Sequence, residues 1–169
     1  MNYRTLINIG LIPQVLCLLL TSSLSFPAAA HHSFAMYDRE TTRTLTGKLT
    51  RFVPGANHAQ LIFQLLDSDG ESMISENGEP VLWGVETGSA RRIAGEGITV
   101  KSFPLGTILT VTLNPLRDGR NFGARIDNAP LIKCGMTLPE GGCTEEIGEV
   151  FQGVEDNGRA SYQNSTSSR

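Results

Sequence analysis

Thr44-Leu45-Thr46-Gly47-Lys48-Leu49-Thr50-Arg51-Phe52-Val53, then Pro54-Gly55, then His58-Ala59-Gln60-Leu61-Ile62-Phe63-Gln64-Leu65, is the stretch from which the fold is read. In its first run Leu45, Gly47, Leu49 and Val53 alternate with Thr44, Thr46, Lys48, Thr50 and Phe52, the period-two pattern of a half-buried strand. Pro54 and Gly55 end that strand. In the second run Ala59, Leu61, Phe63 and Leu65 make the apolar face, which places His58 at the strand start and off the core side.

Working toward the carboxyl end, Asp67-Ser68-Asp69-Gly70 supplies the side-chain acceptors and the positive φ of a tight turn. It lacks the further oxygen ligands and the distant glutamate of a calcium loop. Residues 71–80 are polar and read as a loop or a small added hairpin before a third strand, Val81 to Glu86, centred on Trp83. Ser89 is placed to cap a short helix of Ala90 to Ala94, and Gly95 to stop it. Pro104-Leu105-Gly106 marks a corner, after which Ile108, Leu109, Val111 and Leu113 fill a fourth strand. Arg117-Asp118-Gly119-Arg120 is a hairpin turn leading to a fifth strand, from Asn121 to about Asp127. This order of elements predicts a mainly all-β fold: a small five-stranded OB-like barrel with one short helix, over residues 44–133. Such a barrel hosts many functions and by itself names no ligand.

The two ends have different compositions. Arg4, an apolar run from Leu6 to Leu20 and a closing Ala28-Ala29-Ala30 read as a signal peptide over residues 1–30, cut between Ala30 and His31. The run is too short for a comfortable membrane span, so no stable membrane anchor is expected after cleavage. Residues 31–43 form an arm. Cys17 leaves with the signal, and Cys134 and Cys143, which flank Pro139, Gly141 and Gly142, read as one disulfide loop over 134–143. Residues 144–169, rich in Ser, Asn, Gly and acids, read as a flexible tail. These features place the protein in the periplasm or outside the cell.

Charge narrows the partners. The chain has 14 basic and 17 acidic residues, and loss of Arg4 takes the mature net charge from −3 to near −4, which argues against nucleic acid as a partner. Arg91, Arg92, Arg117, Arg120 and Arg125 could mark a surface for a small ligand or protein partner, but the interspersed acids make them a solvated rim.

With these residues placed, the chain resembles a family of small exported bacterial proteins of unknown function that begin, once processed, with His-His-Ser-Phe. His31, His32, Ser33 and Phe34 match that start. Thr44-Leu45-Thr46-Gly47, His58, Trp83, Pro104 to Gly106 and Arg117-Asp118-Gly119 are similar to further landmarks of the family. Where the family has Asn-Pro-His, this chain has Ala56-Asn57-His58. The resemblance implies fold and export and supplies no chemistry.

The chemistry must come from the residues. His31, His32 and His58 are all the histidines of the chain. A free terminal amine with a pKa of about 8 and an imidazole near 6.5 can both shed protons to a metal at neutral pH. The amine and ring of His31 with the ring of His58 would give the T-shaped nitrogen set of a histidine brace, which favours Cu(II), with His32 as a further donor and Tyr37 as an axial one. Binding or delivery of copper suits a mature chain of this size better than catalysis. The alternative is a non-catalytic periplasmic module that binds a ligand or protein and no metal. No motif supports a hydrolytic site at Ser33.

Overall fold

The structure is a computed structural model that describes residues 35–127 and 129–152. The proposed signal peptide, His31, His32 and the part of the proposed tail after Gln152 lie outside the described residues. Among the described residues, seven strands and one helix follow in order: β1 (Arg43–Val53), β2 (Gln60–Leu65), β3 (Leu82–Glu86), α1 (Ala90–Gly95), β4 (Ile108–Pro115), β5 (Phe122–Arg125), β6 (Leu131–Lys133) and β7 (Glu149–Phe151). The sheet runs β1-β2-β3-β5-β4-β6-β7, and β1 also pairs with β4. That extra pairing closes the first five strands into an OB-like barrel, with β3 and β5 parallel and the other pairs antiparallel. Among the described residues no helix is long and apolar enough to cross a membrane.

The alternating residues of the opening strands fill the barrel. Leu49, Leu61, Phe63, Trp83, Val85, Leu109, Val111 and Leu113 form one buried cluster, roofed by Ile93 of α1 and by Ile98 and Phe103. Ser89 caps α1 by accepting from the Arg92 amide at 3.2 Å. Asp67 spends its carboxylate on the amides of Asp69 and Glu71, each at 2.9 Å, which fixes the 67–70 segment as a turn. Residues 72–80 fold as the small hairpin, with bridges Leu66 to Ser72 and Ile74 to Pro80.

The face expected for Val53 needs correction. The pairing with β2 slips between Leu49 and Arg51, so two residues oppose one and the parity inverts. Phe52 therefore pairs with Leu61 and packs on the core in place of Val53. At the slip the Thr50 hydroxyl donates to the Ile62 carbonyl at 3.0 Å.

The expected flexible tail from residue 144 is also corrected over its first part. β7 pairs antiparallel with β6, itself paired to β4, and extends the barrel wall by two short strands. Phe151 is buried and meets Phe103 edge to face at 4.9 Å between centroids. Cys134 and Cys143 form the expected disulfide, and Cys143 lies in a second small core with Leu66, Ile108 and Ile132. The reason for ordering is burial of one aromatic ring and completion of backbone pairing, which outweigh a polar composition.

Arg125 departs from the expected solvated rim. Its side chain is only 5% exposed, with Nη1 donating to Glu96 Oε2 at 2.6 Å and Nη2 to the Phe151 carbonyl at 3.0 Å. Glu96 thus neutralises a charge that the barrel has taken from water, while the guanidinium holds the end of β7. Arg91, Arg92, Arg117 and Arg120 are exposed, as a rim requires. Phe151→Ala is expected to lower the unfolding free energy by about 3 kcal/mol in a denaturant titration. Reduction of the disulfide is expected to cost a further 2–3 kcal/mol or so in the same measurement.

Candidate metal centre

His58 closes the connection between β1 and β2, and the local backbone explains its aim. Gly55 lies so close to the His58 carbonyl that a Cβ built there would sit 1.9 Å from the oxygen, so only glycine allows the turn. The Gly55 carbonyl in turn accepts from the Ala90 amide at the start of α1 at 3.0 Å. On the other side, the Ala59 amide donates to the Gly88 carbonyl at 3.0 Å and the Thr87 amide donates to the Ala59 carbonyl at 2.8 Å. The turn is thus sewn to the end of β3. The sequence departure at Ala56-Asn57 leaves His58 at a strand entrance, as its parity predicts.

The imidazole is 39% exposed. Its Nδ1 lies 3.3 Å from the Thr87 carbonyl oxygen and 3.3 Å from Glu86 Oε1. Glu86 is the last residue of β3, and its side chain is largely covered. It falls on the outer side of the barrel, because its neighbour Val85 points into the core and Glu86 pairs with Gln60.

Tyr37 reaches the same carboxylate from the arm. Its backbone bridges to Leu116, flanked by hydrogen bonds from the Asp38 amide to the Pro115 carbonyl at 2.7 Å and from the Arg117 amide to the Met36 carbonyl at 2.9 Å. The ring is buried in a third cluster with Leu116 and Ala124, with Phe122 packed against it. Burial, then the charge of Glu86, then hydrogen bonding with that carboxylate push the phenol up to about 12. The hydroxyl is therefore protonated at neutral pH.

Of the residues proposed from the sequence as metal ligands, the structure brings His58 and Tyr37 to one group, Glu86, while His31 and His32 lie outside the described residues. Among the described residues, no group of three or more His, Cys, Asp or Glu side chains is arranged to hold a metal ion. Sequence reasoning missed Glu86. The signal that could have found it is the pairing of Gln60 with Glu86, which sets His58 beside the end of β3.

A closed five-stranded barrel with an arm laid on its outer face and a histidine at its rim defines a small OB-like β-barrel protein. The chain belongs to the DUF6152 family, a family of unknown function whose pattern covers residues 19–125. No curated protein and no solved structure matches it.

Two outcomes test this geometry. Gly55→Ala is expected to cost about 1–3 kcal/mol, because the His58 carbonyl must move, and to shift the His58 ring resonances by NMR. In a spectrophotometric titration, Tyr37 is expected to ionise at about 12, a step that Tyr37→Phe removes. The sign follows: the folded phenol holds its proton above the unfolded value of 10, so its contribution to stability is constant below that pH and is lost as the pH rises from 10 toward 12.

Proposed function

We propose that this protein is exported, is cut between Ala30 and His31, and binds Cu(II) through the terminal amine and ring of His31 with the ring of His58. Its role on this reading is to bind or deliver copper in the periplasm or outside the cell. The observation that carries the reading is the convergence of His58 and the arm residue Tyr37 on one carboxylate. Because Tyr37 is anchored, the chain from His31 to Tyr37 has a reach of only about 20 Å at full extension.

The half-exposed ring supports a ligand role. Both polar contacts described for it use Nδ1, which leaves Nε2 as the nitrogen for a metal. Tyr37 fits less well as an axial ligand than as a support, because its phenol is buried, protonated and turned to Glu86. His32 remains a further donor. The disulfide supports an oxidising compartment, where Cu(II) is the stable state of copper.

Amino-terminal sequencing of the exported protein is expected to begin at His31. Copper titration followed by electron paramagnetic resonance is expected to show one equivalent bound with nitrogen ligands. One extra residue before His31 removes the free amine from that position, and His58→Ala removes the third nitrogen. Each change is expected to weaken Cu(II) by at least about tenfold, the equivalent of 1.4 kcal/mol. Equal, weak binding by all three proteins would sink the proposal.

A further inference from the structure

Among the described residues Glu86 interacts both with Tyr37 of the arm and with His58, and no motif of the sequence assigns it a role. The His58 Nδ1 faces two oxygens, the Thr87 carbonyl and Glu86 Oε1, and in this contact both are acceptors. A ring nitrogen presenting its lone pair to two acceptors would be repelled by both, so the hydrogen belongs on Nδ1. In a neutral imidazole that leaves the lone pair on Nε2, the only form in which the outward nitrogen can bind a metal.

We infer that Glu86, backed by Tyr37, is a positioning residue of the His58 site: its carboxylate fixes the ring in the tautomer that presents Nε2 as the ligand atom. The inference rests on the copper reading above for its purpose, though not for its geometry. Three features make Glu86 the active partner alongside the Thr87 carbonyl. Its charge makes it the stronger acceptor for the hydrogen on Nδ1. Its side chain is mostly covered, so the carboxylate is not free to turn away into solvent. The buried Tyr37 hydroxyl, protonated at neutral pH, is placed to donate to it, and the backbone pairing of Tyr37 with Leu116 keeps that donor in place. The network therefore runs from the arm through a phenol and a carboxylate to the imidazole, with each donor facing an acceptor.

The test reads the tautomer directly. The exported protein, labelled with nitrogen-15 histidine and free of metal, is studied by long-range proton–nitrogen correlation at a pH above the imidazole range. The His58 signals are assigned by their loss in His58→Gln. Wild type is expected to show a protonated Nδ1 and an unprotonated Nε2. Glu86→Ala is expected to shift the population toward the other tautomer, and Glu86→Gln, whose amide oxygen still accepts, to restore it. A wild-type ring protonated on Nε2, or a tautomer unchanged in a folded Glu86→Ala protein, overturns the inference.

A second readout separates this from the copper reading. If wild type binds Cu(II) as proposed, Glu86→Ala is expected to weaken it by about 10–100-fold and to change the nitrogen hyperfine pattern, with Glu86→Gln recovering most of the affinity. Copper affinity and hyperfine pattern identical in wild type and Glu86→Ala would also overturn the inference. Failure of wild type to bind copper removes the metal reading alone, because the tautomer experiment contains no metal and still decides the role of Glu86.

Discussion

Closure of the barrel depends on β1 being hydrogen-bonded along both edges. Its first half faces β4, from Arg43 opposite Leu113 to Lys48 opposite Ile108, and its second half faces β2, from Gly47 opposite Leu65 to Val53 opposite Gln60. Where the two halves overlap, at Gly47 and Lys48, one strand serves both neighbours. A straight strand cannot do this around so tight a curve, and the slip between Leu49 and Arg51 supplies the added bend. Gly47 supplies the room, since a Cβ there would lie 2.2 Å from the Phe63 ring. Everything that positions the candidate site, including the pairing of β3 with β5 and the landing of the arm on β4, presupposes this closed wall.

The outer face of that wall explains why an arm should be ordered at all. Leu116, Phe122 and Ala124 point away from the core and would leave an apolar strip in water. Tyr37 packs its ring with them, and its hydroxyl interacts with Glu86. The same residue thus covers apolar surface with its ring and completes a polar network with its hydroxyl, the usual division of labour of a buried tyrosine.

Much of this was legible in the sequence, and the misses have physical causes. Alternation gave β1, β2 and their core faces, and Asp-Gly with Cys spacing gave the last barrel turn and the disulfide. Val53 was assigned to the wrong face because a one-residue slip leaves no mark in composition. β6 and β7 have only three residues each, too few for a period to show, and the second is embedded among polar neighbours. Arg125 looked like rim because arginine belongs in water unless a partner such as Glu96 neutralises it, and that partner is 29 residues away. His58 and Tyr37 stand out in the sequence by their chemistry, whereas Glu86 does not, since the inserted hairpin at 72–80 hides the register between β2 and β3.

The bridge between Cys134 and Cys143 has a consequence for how the end of the chain finds its place. Lys133 of β6 pairs with Glu149 of β7, and within that connection the covalent link short-circuits a sequence separation of nine. It thereby about halves the effective length of chain that must close on itself, a saving of roughly 0.6 kcal/mol in loop entropy for that docking step alone. With the bond reduced, β7 should be the first strand to detach in local fluctuations, and the amides of β6 should lose protection from hydrogen exchange before those of β1 or β2. Besides bracing the whole domain, the cross-link thus acts as a setting on the dwell time of its outermost strand.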